Sequence, residues 1–384
     1  MRPGARPHIG PPSRFRTLGP RLGFGAWAVG GRGWGGGAPD HERARRAAVA
    51  RAVEGGIDFF DTAPGYGDGA SEALLGTVLK PYREQVAIAT KVGPRDDPRT
   101  SLEASLRRLG GDYVDLLQLH EALERWEWRL ETLHKLQEEG KTLAIGLCNA
   151  THAQIARALE IAPVVTYQGP YNLFDRDVEQ RALPLCRERG LGFLAYRPLA
   201  SGLLAGKYQA PPEFGEADHR RNIYWFKGRE FERRRQVIAR LRPIARGLDL
   251  PLAGLSLAWV LAQPGVSVVL AGARTAAQVD ENLAGTRHLT PDTVSAIDAI
   301  VSDVFRPVRA TADLRTQAET WGERERFIVA RLDGKASYEA IAAEWTDKGE
   351  QPMIAAQVKV FVDQLAAQVK VFVDQLLEQG LAEV

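Results

Sequence analysis

The chain of 384 residues has very little cysteine and no long apolar run. Its two cysteines, Cys148 and Cys186, each lie inside an apolar stretch, so they indicate reduced core thiols rather than a disulfide framework. No segment approaches the roughly 20 consecutive apolar residues that a membrane-spanning helix needs. These two absences favour a soluble protein that makes no use of disulfides or of a membrane anchor.

The chain also lacks a charge excess of either sign. Its 50 lysine and arginine residues nearly balance 48 aspartate and glutamate residues, and the formal net charge is +2. Because the positive charges form no stripe, nucleic acid is not expected as a partner. Residues 1–20 are rich in arginine, proline and glycine but lack the apolar core of a secretory signal. We therefore expect a flexible N-terminal segment at 1–20 and a cytoplasmic protein.

Short apolar runs alternate with amphipathic stretches from about residue 21 to residue 285, as expected when helices cover a parallel sheet. The predicted strands are residues 23–27, 57–60, 86–90, 114–119, 143–147, 164–167, 192–196 and 266–269. The predicted helices are residues 42–54, 70–79, 101–109, 126–139, 152–160, 178–189, 252–262 and 276–283. Eight such pairs predict an α/β protein with a closed (β/α)8 TIM barrel over 21–305. Residues 211–246 read as an insertion over one barrel face.

No strand pattern remains after residue 306, and amphipathic helical patterns dominate to residue 384. The sequence AAQVKVFVDQL occurs twice in succession, at 355–365 and 366–376. Because eleven residues make almost three helical turns, the apolar positions of both copies continue on nearly the same helix face. We therefore predict a helical C-terminal extension over 306–384. A tandem duplication, natural or artificial, explains the repeat more simply than a catalytic role.

Three successive predicted strands each run into an ionisable residue: Asp61, Lys91 and His120. Tyr66 follows Asp61 by five residues in a loop of glycine and proline, which could fold the phenol back over the strand ends. In a (β/α)8 barrel those carboxyl ends form the catalytic face. Each residue alone is more often structural, but their joint occurrence at consecutive strand ends predicts one pocket.

The four side chains suit carbonyl reduction, which needs a hydride and a proton donor near the oxygen. Tyrosine, with an ordinary pKa near 10, is a poor acid at neutral pH, and a neighbouring ammonium stabilises its phenolate. We therefore predict that Tyr66 is the general acid and that Lys91 lowers its pKa. Asp61 would pair with Lys91, and His120 would orient the substrate oxygen.

Seven motifs in the chain resemble those of the aldo-keto reductase superfamily, in the same order, over about residues 20–285. They are DTAPGYG at 61–67, TKV at 90–92, LQLH at 117–120, IGLCN at 145–149, QGPYNL at 168–173, LAYRPL at 194–199 and GART at 272–275. The resemblance implies a catalytic tetrad at Asp61, Tyr66, Lys91 and His120, with no metal. The sequence departs from the family pattern at two positions: Cys148 replaces the usual serine, and Arg197 stands where a small polar residue is common.

The resemblance also implies an NADP(H) site of a type other than the Rossmann fold. Asn149 and Gln168 would bind the carboxamide, and Tyr196 would stack on the nicotinamide. The pyrophosphate would lie along Leu199, Ser201, Gly202, Leu203 and Lys207, and the adenosine end along Gly272, Arg274, Gln278, Glu281 and Asn282. Because Arg274 lies just before the predicted helix 276–283, its guanidinium and the N-terminus of that helix would both face a 2′-phosphate. This arrangement favours NADPH over NADH. Alternatively, Gln278, Glu281 and Asn282 are the solvated face of that helix.

The glycine-rich loop after the first strand allows two interpretations of Trp34. It is either a wall of the substrate pocket or simple loop packing. The same loop contains a G-x-G-x-x-G pattern at 31–36, but the next predicted helix begins only at Glu42. A dinucleotide-binding fingerprint requires a helix that opens at once, so we discount it.

Together these patterns predict an NADPH-dependent reductase that converts a small aldehyde or ketone to an alcohol. The alternative is a nucleotide-sensing or peptide-binding partner protein that uses the barrel as a binding module. Residues 327–384 resemble the helical part of PqqD-like domains, which bind leader peptides, but residues 306–326 offer no strand for the sheet of such a domain. A helical packing appendage or dimerisation arm is therefore the other interpretation of the tail.

Overall fold

The computed structural model describes residues 21–31, 34 and 39–305, with the backbone alone at 39 and 40. The chain divides into two units, Met1–Phe305 and Arg306–Val384, and all described residues belong to the first. The expectations for the N-terminal segment 1–20 and for the C-terminal extension with its repeat fall outside the described residues. They stay predictions.

Eight parallel strands form a closed barrel in chain order, each paired with the next and the eighth with the first. The strands are β1 (Arg21–Gly25), β2 (Phe59–Asp61), β3 (Ala87–Val92), β4 (Val114–Leu119), β5 (Thr142–Cys148), β6 (Val164–Pro170), β7 (Gly192–Tyr196) and β8 (Val266–Ala271). This arrangement confirms the predicted (β/α)8 barrel.

Helices follow the strands and cover the outside of the barrel. They are α1 (Pro39–Glu54), α2 (Ala70–Leu79), α3 (Pro98–Leu109), α4 (Trp126–Glu138), α5 (His152–Ile161), α6 (Ala182–Arg189), α7 (Gly228–Gly247), α8 (Leu252–Leu261), α9 (Ala276–Leu283) and α10 (Pro291–Phe305). Within the described residues no single helix is both long and apolar enough to cross a membrane. Helices α7 and α8 taken together reach that length and composition, but they are bent by 88° at their junction.

Three elements differ from the prediction. The first strand ends at Gly25 because Ala26 begins a 3-10 helix that runs to Gly30. The helix predicted at 178–189 is broken, since Arg181 has the non-helical φ of −139° and ψ of −60°, and α6 starts only after it. Helix α10 was not predicted; it begins at a proline and buries Ile297 and Val301, four residues apart on one face.

The barrel interior is apolar at one end and polar at the other. Its apolar cluster consists of Phe59, Ala87, Ala89, Leu116, Ala144, Val165, Leu194, Val268 and Leu270. Side chains alternate between the two faces of a strand, so the residue two positions after an inward-facing one also points inward. Beyond the apolar cluster, β2, β3 and β4 therefore place Asp61, Lys91 and Gln118 inside the carboxyl end of the barrel. A separate, larger apolar core lies between the strands and the helices.

Candidate active site

The four residues of the predicted tetrad meet at the carboxyl end of the barrel. Lys91 lies on β3, and its Nζ donates hydrogen bonds to Oδ1 of Asp61 at 2.5 Å and to the carbonyl oxygen of Thr62 at 2.8 Å. The same Nζ is 3.4 Å from the hydroxyl of Tyr66. The rings of Tyr66 and His120 meet edge to face with centroids 5.9 Å apart. All four side chains thus lie together at this end of the barrel.

Two glycines allow the loop that carries Tyr66 to return over the strand ends. Gly67 has a left-handed φ of +66°, and a Cβ added there would collide with the carbonyl oxygen of Gly30. A Cβ added at Gly30 would in turn lie 2.7 Å from the carbonyl oxygen of Tyr66. Below the loop, the Ser71 hydroxyl donates to the carbonyl oxygen of Ala26 at 2.9 Å. The backbone of Tyr66 is therefore packed directly against the loop after β1.

Burial dominates the electrostatics of the Tyr66 phenol. It raises the pKa of Tyr66 to about 12, although the neighbouring Lys91 charge acts to lower it. Lys91 acts on the pKa of Tyr66 in the predicted direction, but loss of hydration outweighs the ammonium, so the net pKa lies above its ordinary value of 10.0. Burial also acts to lower the pKa of Lys91, but the Asp61 carboxylate more than offsets it, so the net shift is upward. At neutral pH the phenol is protonated and the amine is charged.

The imidazole of His120 is neutral at physiological pH. Burial and then the Lys91 charge lower its pKa from 6.5 to about 3. A neutral imidazole carries one N–H donor and one acceptor nitrogen. His120 can therefore donate a hydrogen bond to an oxygen beside Tyr66 without adding a second positive charge to the pocket.

A polar layer lies directly beneath the tetrad. Oδ2 of Asp61 accepts hydrogen bonds from Nε2 of Gln118 at 3.2 Å and from Nε2 of Gln168 at 2.9 Å. Gln118 in turn accepts from the thiol of Cys148 at 3.5 Å. No role for Gln118 was predicted from the sequence. The available signal was its position two residues before His120, which puts it on the same inward strand face.

One cavity of about 680 Å³ runs from the tetrad to Arg274. The predicted residues that line it are Trp34, Asp61, Tyr66, His120, Asn149, Gln168, Tyr196, Leu199, Ser201, Gly202, Lys207, Gly272, Arg274, Gln278, Glu281 and Asn282. Lys91 lies beneath the cavity floor and is 1% exposed. The Leu203 side chain does not line the cavity as expected, because it is buried in the apolar core between strands and helices.

At the tetrad end of the cavity, polar side chains hold one another in place. The Tyr196 hydroxyl donates to Oδ1 of Asn149 at 2.8 Å, and Nδ2 of Asn149 donates to the carbonyl oxygen of His120 at 3.0 Å. Asn149 adopts a left-handed φ of +50° at the end of β5. This geometry keeps an amide and an aromatic ring beside the phenol of Tyr66.

The opposite end of the cavity is rich in positive charge. Burial lowers the pKa of Lys207, and the charges of Arg220 and Arg274 lower it further. The pKa of Arg274 is lowered by burial and by Arg220 as well. The hydroxyl oxygen of Ser201 is buried there without a hydrogen-bond partner among the described residues. An anion bound there would offset the repulsion among the cations, and one of its oxygens could accept a hydrogen bond from the Ser201 hydroxyl.

Sequence reasoning missed three side chains near this cavity: Trp27, His219 and Arg220. The ring of Trp27 stacks on Tyr66 with centroids 6.0 Å apart. His219 contacts both Trp27 and Trp34, at 4.3 and 4.4 Å between ring centroids, and Arg220 lies 5.2 Å from the Trp34 ring. Trp34 is thus both a cavity wall and a loop-packing residue. The arginine and aromatic content of the insertion at 211–246 was the signal for these contacts.

A family model described as the aldo/keto reductase family matches residues 21–302 of this chain. The chain belongs to the aldo/keto reductase family. Members of this family are oxidoreductases that act on small carbonyl substrates with nicotinamide cofactors. The superfamily resemblance expected from the seven motifs is therefore confirmed.

Two curated relatives are similar over most of their length. The aldo-keto reductase YhdN of Bacillus subtilis is 34% identical over 277 residues, which cover 68% of this chain and 83% of that protein. The NADH-specific methylglyoxal reductase of Escherichia coli is 32% identical over 300 residues, covering 69% and 89%.

Solved structures agree with the barrel. The glycerol dehydrogenase of Gluconobacter oxydans superposes with a TM-score of 0.68 at 31% identity, covering 76% of this chain and 94% of that one. An aldo/keto reductase from Klebsiella pneumoniae in complex with NADP and acetate has a TM-score of 0.59 at 25% identity, covering 76% and 93%.

Proposed function

We propose that this aldo/keto reductase uses NADPH to reduce an aldehyde or ketone to an alcohol, with Tyr66 as the proton donor. One observation carries the proposal. The Tyr66 hydroxyl lies 3.4 Å from the Lys91 ammonium at one end of a single cavity, and that cavity ends at the cations Lys207 and Arg274. The cavity therefore joins a proton donor to an anion site.

The chemistry of the cavity walls fits a nicotinamide dinucleotide. The amides of Asn149 and Gln168 suit a carboxamide, and the Tyr196 ring suits a flat heterocycle. The Ser201 hydroxyl, which has no hydrogen-bond partner within the described part of the chain, suits a phosphate oxygen. When bound, NADPH supplies the hydride that reduces the carbonyl carbon. The side chains of this protein donate the proton and stabilise the phenolate that proton donation leaves.

NADPH is preferred over NADH in this proposal because of the charges around Arg274. Relatives differ on this point: the Escherichia coli relative is named NADH-specific, whereas the Klebsiella pneumoniae neighbour is described in complex with NADP. In this chain burial and the charges of Arg220 and Arg274 lower the pKa of Lys207, and burial and the charge of Arg220 lower the pKa of Arg274. The cations at this end of the cavity therefore repel one another. A 2′-phosphate dianion would offset that repulsion.

The proton path follows from the geometry around Tyr66. The phenol is protonated at neutral pH, so it can donate to the oxygen of a bound carbonyl compound. As the proton leaves, the Lys91 ammonium stabilises the phenolate that forms, and Asp61 holds that ammonium in place. Neutral His120 donates a second hydrogen bond to the same oxygen. Trp27, stacked on Tyr66, covers the phenol from the loop after β1.

The direct test is NADPH consumption with a panel that includes methylglyoxal and benzaldehyde, comparing wild type with Tyr66→Phe. Removing the acid should lower kcat by about 10²- to 10⁴-fold. Tyr82→Phe is the matched control because Tyr82 ends the 3-10 helix Lys80–Tyr82 on the outside of the barrel, and its rate should equal that of wild type. Equal rates for wild type and Tyr66→Phe would refute the assignment of Tyr66.

A further inference from the structure

Gln118 is a fully buried amide inside the barrel, with 0% exposure. Its Nε2 donates to Oδ2 of Asp61 at 3.2 Å, and its Oε1 lies 3.5 Å from the thiol of Cys148. Burial of an amide costs free energy unless its polar atoms form hydrogen bonds. Here the amide N–H donates to the carboxylate of Asp61, a member of the tetrad.

The neighbouring strand leaves room for this side chain. Gly146 on β5 is the register partner of Gln118 on β4. A Cβ added at Gly146 would lie 3.2 Å from Cγ of Gln118 and would collide with the hydroxyl of Thr166. The glycine therefore allows the amide to extend across the barrel to Asp61.

The contact matters because Asp61 acts on Tyr66 in two opposed ways. Its charge directly raises the pKa of Tyr66, while the ammonium that it holds, Lys91, lowers it. Oδ1 of Asp61 faces Lys91, and Oδ2 accepts from Gln118 and Gln168. A donor on Oδ2 fixes the plane of the carboxylate and draws its negative charge away from the phenol.

We propose that Gln118 is a positioning residue for proton transfer: through Oδ2 of Asp61 it keeps Tyr66 acidic enough to donate. The inference rests on the proposed role of Tyr66 as the acid. Without the amide donor, Asp61 carries more of its charge on the side facing the phenol, so the pKa of Tyr66 rises. Reduction then slows, and alcohol oxidation, which needs the phenolate, moves to higher pH.

The first experiment compares wild type with Gln118→Met, which keeps the length of the side chain but removes the donor. With the panel carbonyl that wild type reduces fastest, kcat should fall about tenfold while the KM for NADPH changes little. With NADP and the corresponding alcohol, the rising limb of the pH profile should move up by about one pH unit. The solvent deuterium isotope effect on kcat should increase.

Gln137→Met is the matched control. It makes the same substitution on the outer side of the barrel, where Nε2 of Gln137 donates to the carbonyl oxygen of Leu143 at 3.0 Å. Its pH profile and isotope effect should equal those of wild type. A Gln118→Met enzyme that is less thermostable but has the wild-type pH profile would show a purely structural role and overturn the proposal.

Gln118→Glu provides a second variant. Below the pKa of the new carboxyl group, its protonated form donates to Asp61 and activity should approach that of wild type; above it, two carboxylates repel and activity should fall below that of Gln118→Met. A profile parallel to that of wild type would overturn the proposal. Failure of the proposed function is separately visible, since Tyr66→Phe would then keep the wild-type rate.

Discussion

Nζ of Lys91 and Oδ1 of Asp61 lie 2.5 Å apart in the barrel interior, with side-chain exposures of 0% and 4%. A buried ion pair adds little net stability, but removal of one partner leaves an uncompensated charge in a medium of low polarity. Lys91→Met should therefore lower the free energy of unfolding by about 3–5 kcal/mol, measured by urea denaturation at pH 7.

The double variant Lys91→Met/Asp61→Asn separates stability from catalysis. Asparagine removes the stranded charge and keeps an oxygen that accepts from Gln118 and Gln168, so most of the lost stability should return. Activity should stay as low as in Lys91→Met, because no ammonium is left to stabilise the phenolate. A double variant no more stable than Lys91→Met would contradict the buried-pair argument.

The barrel and the meeting of the tetrad could be predicted because both follow from local pattern plus one geometric rule. Asp61, Lys91 and His120 each stand at a strand end, and the ends of parallel strands converge in a closed barrel. The amide of Gln118 could not be assigned in the same way. Its proposed role depends on Gly146 of the adjacent strand, whose missing side chain leaves the space across the barrel.

The pKa of Tyr66 and the loop contacts of Trp34 could not be predicted from the sequence. Charge partners can be read from motifs, but the burial that raises the Tyr66 pKa to about 12 results from the whole fold around it. His219 and Arg220 reach Trp34 from the insertion after β7, far along the chain. The pattern of apolar residues in 211–246 does not indicate which part of the barrel such a loop will cover.

His120 should make the protein sensitive to mild acid. Its pKa is about 3 in the folded state and returns to 6.5 on unfolding, so between these values the unfolded chain binds a proton that the folded chain does not. Folding stability should therefore decrease as pH falls from about 6.5 towards 4, at up to about 1.4 kcal/mol per pH unit. Urea midpoints at several pH values measure this slope.

The His120→Gln variant gives the control for that slope. Glutamine keeps hydrogen-bonding capacity but does not titrate, so its stability should depend less on pH over the same range. The buried carboxylates and the partly exposed His134 are unchanged between the two proteins and cancel in the comparison. If both proteins show the same slope, His120 is not the group that titrates.

Gly67 should be the least replaceable position in the Tyr66 loop. Gly67→Ala forces a side chain into a left-handed φ of +66° and against the carbonyl oxygen of Gly30, so it should displace Tyr66 and lower kcat at least tenfold. Gly65→Ala lies two residues away in the same loop, with nothing within 4 Å of the added Cβ. It should keep kcat within about twofold of wild type, since ordinary loop changes of this kind cost little. Comparable losses in both variants would contradict the packing argument.

Arg274 should distinguish NADPH from NADH. Its guanidinium lines the cavity next to helix α9, whose N-cap Thr275 accepts from the backbone amide of Gln278 at 3.3 Å, so charge and helix dipole face the same point. Arg274→Met should weaken NADPH binding by about 10- to 100-fold in a fluorescence titration and change NADH binding far less, because only NADPH carries a 2′-phosphate. The exposed Arg246 of α7, replaced by methionine, should leave both affinities unchanged. If Arg274→Met weakens the two cofactors equally, the residue acts through its hydrogen bond to the carbonyl oxygen of Trp34, at 2.8 Å, and not through the phosphate.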